Sequence, residues 1–354
     1  MFRLGLIGCG GIALGQQGPA AAATKDVRIA ACCDVREDAA RQFAQRFGGA
    51  AVHTDYLAMV RQEPLDGVLL ATWPNQHREQ IEKLLAAGVR NILCEKALTL
   101  TGQEAIAIWE LVRAAQAFLM EAFMYRHHPA IARMDRLIAA GAIGSVDHVL
   151  AAFSAPDDET AAPDDPHRNW RQRPECGGGL PYDFTCYCVN AANHFAAALP
   201  ARVFAAGGVS DRYGVVNRLH GLIEYQNGGV AFIQGSKQAD VSQELRVVGL
   251  KGQLTLPVAW TIGSRCEVLQ QNSAGWVRYE GHSHSIPPSN AYQLQLENFA
   301  AAARGQARPV MPLLESVVNS FTLEALVTSL TERRIVDVRV PDRVREALLK
   351  ETRT

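Results

Sequence analysis

The sequence predicts an α/β protein of two domains, the first built on a doubly wound parallel sheet. Three observations predict it. Over residues 1–122 short apolar runs alternate with stretches of helical periodicity, the pattern of a parallel sheet covered on both faces. A glycine-rich turn closes the first apolar run and an aspartate closes the second, which equips the carboxyl edge of such a sheet for a ligand. Beyond residue 122 turn signals of the hairpin type separate the runs, so 123–354 reads as a second domain of different architecture.

Taken in order, Phe2–Gly8, Val27–Asp34, Gly67–Ala71, Asn91–Cys94 and Phe118–Ala122 are expected strands: each is short, apolar and bounded by turn residues. Glu37–Phe47, Gln76–Ala87 and Thr101–Gln116 are expected helices. The last opens on the capping box Thr101-x-x-Glu104, and its Ala105, Ile108, Trp109, Val112 and Ala115 keep helical spacing. In the second domain Pro129–Ala140 is an expected helix. Proline sits in its first turn, Ile131, Met134, Leu137 and Ile138 mark one face, and Gly141 follows its end. A polar, proline-rich loop covers 154–179, and loops that long are functional or disordered. Leu219–Gln226 and Val230–Gly235 flank Asn227–Gly228–Gly229 as a hairpin, and strands continue to about Tyr279. Helices at Ala291–Ala303 and Leu313–Leu330 complete the domain.

The 354 residues are 48% hydrophobic, enough for a sizeable core, and carry a formal net charge of −1 with no long run of one sign. That balance excludes nucleic acid or an anionic membrane surface as the main partner. No stretch approaches the ~18 unbroken apolar residues of a membrane span. The first residues imitate a secretory leader, one arginine and then an apolar run, but the glycines that break the run have another use. Of 8 cysteines, Cys32 and Cys33 are adjacent, Cys186 and Cys188 form C-x-C, and the others are scattered. With no C-x-x-C, and with His282-x-His284 standing alone, no metal site is expected; free thiols in a reducing cytoplasm are.

The glycine turn reads Gly8-x-Gly10-x-x-Ala13. Gly8 permits the turn, Gly10 lets backbone approach a pyrophosphate, and Ala13 allows close helix–strand packing. The helix that starts at Gly11 and Ile12 then directs unpaired N–H groups at the phosphate. Asp34 ends the second strand, where a carboxylate grips a ribose diol. The pattern predicts dinucleotide binding, with NAD favoured because Asp34 repels a 2′-phosphate. NADP stays open through Arg36, which either pairs with that phosphate, stacks on adenine or is a solvated surface residue. Thr72 ends the third apolar run at the same edge, and His77 follows as either a cofactor contact or an early-helix residue. Glu95 and Lys96 follow the strand that ends at Cys94, also on the cofactor side; the bland alternative is a strand-end salt bridge. Asp183, Tyr187, Asn190 and His194 are spaced four, three and four apart after three glycines. They form one polar helical stripe, either a solvated face or a proton-transfer site. A tyrosine with an ordinary pKa near 10 needs a neighbouring cation to act near neutrality, and Lys96 is the candidate.

These motifs resemble the Gfo/Idh/MocA oxidoreductases over nearly the whole chain. The resemblance rests on GLIGCGGIA at the start, CEK at 94–96, MEAFMYRHHP at 120–129, GGG…D…CYCVN at 177–190 and AYQLQLENF from 291. EAFMYR and CYCVN look most like the branch of glucose–fructose oxidoreductase, xylose dehydrogenases, dimeric dihydrodiol dehydrogenases and some sugar-nucleotide ketoreductases. The resemblance implies a Rossmann domain plus a C-terminal α/β domain with a large, open, mainly antiparallel sheet, whose face makes a homodimer or homotetramer. It implies hydride transfer between nicotinamide and a secondary alcohol or ketone of a sugar, sugar derivative or cyclic polyol. It makes Lys96 catalytic, gives Tyr187 the hydroxyl proton, lets Asp183 orient the pair, and puts Arg126 and Arg171 on the substrate side or in surface salt bridges. The family also contains NAD-dependent glycosidases, and a catalytically silent dinucleotide-binding regulator on this fold is the other alternative. Three features depart from the family pattern. Ala97 replaces the proline after the lysine; because a non-proline cis bond costs about 3 kcal/mol, a trans Lys96–Ala97 bond is expected. Pro181 and Thr185 occupy positions often held by leucine and glycine, and Pro74–Asn75 fall one place late relative to Thr72.

Overall fold

The computed structural model describes residues 1–156, 169–262, 266–273 and 279–351. Residues 157–168 of the long loop lie outside the described residues. The chain forms two compact units: Met1–Thr99 with Gln103–His127 and Asn290–Ser316, and Leu100–Gly102 with His128–Ser289 and Val317–Thr354.

The first unit holds a parallel sheet of six strands. In chain order its elements are β1 (Phe2–Ile7), α1 (Gly18–Ala23), β2 (Val27–Cys33), α2 (Glu37–Phe47), β3 (Ala51–His53), α3 (Tyr56–Gln62), β4 (Gly67–Leu70), α4 (Pro74–Ala86), β5 (Asn91–Cys94), α5 (Gly102–Ala114) and β6 (Phe118–Glu121). The strand order β3-β2-β1-β4-β5-β6 reverses direction of growth between β1 and β4, the position where such sheets bind ligands. Leu70, Ile92 and Cys94 of the central strands pack with Ile81 and Leu84 of α4 and Ile108 and Val112 of α5, which is why those strands read as unbroken apolar runs. β3 and α3 had no sequence signal of their own. β3 is three half-buried residues, and α3 is one short helix whose start Asp55 caps by accepting from the N–H groups of Leu57 and Ala58. The helix after the glycine turn begins as a π turn, Ala13–Gln17, before α1.

The second unit starts with α6 (Pro129–Ala139), capped by the His128 ring, which accepts from the Ala130 N–H. Then follow β7 (Val146–Ser154), α7 (Cys186–Ala196), β8 (Pro200–Val209), β9 (Val216–Tyr225), β10 (Val230–Ser236), β11 (Leu245–Gly249), β12 (Gly252–Leu256), β13 (Cys266–Ser273) and β14 (Tyr279–Ile286). α8 (Ala291–Ala303) belongs to the first unit, where Phe299 stacks on Phe118 and meets Phe2 edge-on. α9 (Leu313–Glu332), β15 (Val336–Asp337) and α10 (Asp342–Glu351) finish the chain. The second sheet has nine strands in the order β14-β13-β12-β11-β7-β10-β9-β8-β15. It is antiparallel apart from the parallel pair β7–β10. The hairpin expected at Asn227–Gly229 joins β9 to β10, with Asn227 Oδ1 accepting from the Gly229 N–H at 3.0 Å. α7 packs on β7, β10 and β11. α9 has the length and mean hydropathy of a membrane span. It is nonetheless largely buried within the protein and includes Glu315 and Glu324, as core helices do.

Candidate active site

The glycine turn at the end of β1 has two kinds of glycine. Gly8 has φ +92°, and a Cβ there would stand 2.6 Å from the Ala71 carbonyl oxygen, so only glycine serves the fold. Gly10 and Gly11 are exposed, and a Cβ on either would meet nothing within 4 Å. Packing does not require them; open space above bare backbone fits a pyrophosphate. Ile12 follows them into the π turn. Asp34 is tied to the same turn: its Oδ2 accepts from the Cys9 N–H at 2.8 Å and its Oδ1 from the Arg36 N–H at 2.9 Å. The Asp34 carboxylate and the backbone of the glycine turn are thus one connected piece. The Arg36 guanidinium lies at the surface and pairs with Asp38 at 2.6 Å.

At the end of β4, the Thr72 hydroxyl donates to Gln80 Oε1 at 2.6 Å. Both ring nitrogens of His77 lie against backbone carbonyls. The ring is fully buried, its Nδ1 is 3.1 Å from both Ala97 O and Leu98 O, and its Nε2 is 3.2 Å from Thr72 O. Burial pushes its pKa down, and a neutral ring donates through one nitrogen; two carbonyls put that proton on Nδ1. His77 therefore clamps the Lys96 turn to the turn after β4.

That turn follows β5. The Lys96–Ala97 peptide bond is cis, against the trans expectation; the local preference yields to contacts on both sides of the turn. His77 holds the carbonyls of Ala97 and Leu98, and Glu121, at the end of β6, accepts from the Leu98 N–H at 2.8 Å. Glu95 is also buried. Its Oε1 accepts from Gln17 Nε2 at 2.7 Å and its Oε2 from the Lys96 N–H at 3.3 Å. It therefore joins the π turn to the Lys96 turn. Burial raises the pKa of Glu95 and lifts that of Glu121 to about 7; Lys96 and hydrogen bonds pull both the other way. Lys96 itself is half-buried.

Arg126 is paired within the first unit. Its side chain is buried, Nη1 meets Glu315 Oε2 at 2.8 Å, and Nη2 donates to the Val310 carbonyl at 3.3 Å. It anchors the segment after α8 inside the first unit.

In the second unit the predicted stripe is interior at Asp183, Tyr187 and Asn190, while His194 pairs with Asp135 at 2.8 Å. Pro181–Thr185 is a π turn leading into α7. Tyr187 lies among aromatic rings, 5.6 Å from Phe153 and 5.9 Å from Trp260 between centroids. Asp183 Oδ2 receives two cations: Arg171 Nε at 2.8 Å and Lys237 Nζ at 2.7 Å. Lys237 escaped the sequence reading. It is one lysine after a strand, and only the fold brings it to a residue 54 positions earlier.

The comparisons with known proteins agree with this architecture. The model of the GFO_IDH_MocA oxidoreductase family, NAD-binding Rossmann fold, matches residues 2–123, and that of the GFO/IDH/MocA C-terminal domain matches 131–255. D-xylose 1-dehydrogenase (NADP(+)) 2 of Haloferax volcanii is 30% identical over 93% of this chain and 97% of its own. The dTDP-3,4-didehydro-2,6-dideoxy-α-D-glucose 3-reductase of Streptomyces antibioticus is 29% identical over 86% of this chain and 89% of its own. Among solved structures, the 3-ketoreductase KijD10 from Actinomadura kijaniata, in complex with NADP and TDP-benzene, superposes with a TM-score of 0.82 at 25% identity. That match covers 93% of this chain and 98% of that one.

Proposed function

The chain belongs to the Gfo/Idh/MocA family of NAD(P)-dependent oxidoreductases, and from that premise we propose its reaction. It is hydride transfer between nicotinamide and a secondary alcohol or ketone of a sugar, sugar derivative or cyclic polyol, with Lys96 and Tyr187 handling the proton. The observation that carries this reading is Asp183, buried on the helical stripe of Tyr187 with two cations on one oxygen. Gly8, Gly10, Gly11, Ile12, Asp34 and Thr72 hold the cofactor, which supplies or accepts the hydride when bound. Lys96 stabilises the alkoxide that develops on the substrate. Tyr187 gives or takes the hydroxyl proton. Asp183 orients the pair, and Arg171 contacts the substrate. Arg36 is offset by Asp38, so NAD is the preferred cofactor, although the Haloferax relative uses NADP. The eight thiols, with no disulfide among the described residues, fit a reducing cytoplasm.

The test is a redox screen of the purified chain with NAD+ and NADP+ against D-xylose, other aldoses, inositols and p-nitrophenyl glycosides. NAD(P)H formation is expected with at least one of them, at higher kcat/KM for NAD+. Cofactor binding without redox change on any of them overturns the reading in favour of a silent regulator; sugar release without net NADH overturns it in favour of a glycosidase.

The exposed face of the second sheet supports a homodimer. Phe204, Leu222 and Phe232 are neighbours across β8, β9 and β10, with both phenylalanines exposed on the face away from the buried residues, the kind of apolar row that marks an interface. Phe232→Glu is expected to shift sedimentation from dimer to monomer; an unchanged coefficient in both proteins rejects this face as the interface.

A further inference from the structure

Lys237 is the first residue past β10. Its place is fixed without help from its side chain. Its N–H donates to the Asn217 carbonyl at 2.8 Å, and Ser236 Oγ accepts from the N–H groups of Gln238 and Ala239 at 3.0 Å each. Ser236 pairs with Ser154 at the end of β7, so the lysine leaves the sheet at the carboxyl end of its parallel strand pair. The ammonium then lies 2.7 Å from Asp183 Oδ2 and 3.7 Å from the centroid of the Phe184 ring, with the side chain only 10% exposed. A cation so far removed from water is held between a carboxylate and a π face. The carboxylate already has a partner: Arg171 reaches the same oxygen at 2.8 Å and rests on Trp170 at 5.0 Å. One cation is enough to balance the charge of a buried carboxylate. Two, from a loop and from a strand end, pin one oxygen from two directions.

We infer that Lys237 is a positioning residue of the active site: together with Arg171 it fixes Asp183 as a carboxylate in one orientation, so that Asp183 can aim Tyr187. The inference rests on the proposed role of Asp183 in the reaction. Lys237→Met keeps the length and apolar stem of the side chain and leaves Arg171 on Asp183, so the fold is retained. The full chain and its Lys237→Met, Lys237→Arg and Asp183→Asn variants are compared in two measurements. The first follows the Asp183 carboxyl carbon by NMR across pH, assigned through its loss in Asp183→Asn. Removing the cation is expected to raise the titration midpoint by about one pH unit, and Lys237→Arg to restore it. Equal midpoints in the native chain and Lys237→Met overturn the inference, whatever the activity. The second is NAD+-dependent oxidation of D-xylose or of whichever sugar in the screen the native chain oxidises. Lys237→Met is expected to lose about 10-fold in kcat with little change in KM, and its acidic limb to move to higher pH. Native kcat in Lys237→Met beside an inactive Asp183→Asn overturns the inference alone. Native kcat in Asp183→Asn overturns the reading of Asp183 on which it rests.

Discussion

Lys96→Ala is expected to bind NADH within about threefold of the native chain and to lose at least about 100-fold in kcat. The turn that presents Lys96 does not depend on the substituted side chain. His77 holds the carbonyls of Ala97 and Leu98, Glu121 accepts from the Leu98 N–H, and Glu95 is anchored by Gln17. The glycine turn and Asp34 are joined to each other through the Cys9 N–H, so the cofactor cradle is not expected to loosen. On the proposed mechanism the variant loses an ammonium near the developing alkoxide, and preorganised charge of that kind acts on turnover more than on binding. Fluorescence titration with NADH and steady-state kinetics on the identified sugar separate the two effects. Near-native turnover sinks the assignment, and a parallel loss of NADH affinity makes Lys96 a cofactor-holding residue instead.

How far the sequence could be read depended on the range of each interaction. The alternation of strand and helix in the first unit, the glycine turn, and the Asn227–Gly229 hairpin are local patterns, and each appears where expected. β3 and α3 were missed because a three-residue, half-buried strand and a helix of two turns carry little periodicity. The return of Asn290–Ser316 to the first unit has no local signal; it rests on Phe299 meeting Phe2 and Phe118 across the chain. The same distinction governs the site. Gly8 and Asp34 stand in a motif whose spacing reflects its geometry. His77 and Arg126 have polar side chains near the right motifs, yet both face inward, onto two carbonyls and onto Glu315. Spacing alone does not distinguish a polar group that faces a ligand from one that supports the residues that do. Lys237 and the Lys96–Ala97 geometry are set by partners far away in sequence, so neither was legible before the fold.

Glu121 provides the second large effect. It stands in the EAFMYR segment, where the sequence suggested a family and no role. Its carboxyl is buried beside Glu95, and its pKa is lifted from the ordinary 4.5 to about 7, with burial the main cause; the Ser316 hydroxyl, the Leu98 N–H and Lys96 oppose the rise, and Glu95 adds to it. Between about pH 4.5 and 7 the folded chain therefore keeps a proton that the unfolded chain releases. By linkage this term is fully favourable below pH 4.5 and is lost as pH rises through 7, a change of about 3 kcal/mol. His127 and His128 act in the opposite sense: burial lowers their pKa values to about 3 and about 4, so the unfolded chain takes up protons below about pH 6.5 and stability falls on acidification. Glu121→Gln keeps an oxygen for the Leu98 N–H and cannot ionise. Its urea midpoint is expected to rise with pH up to about 6.5 and then level off, while that of the native chain declines toward pH 7 relative to the variant. The stability difference between the two proteins should change by about 3 kcal/mol from pH 4.5 to 8. Parallel curves over that range would mean that Glu121 is ionised in the folded protein throughout.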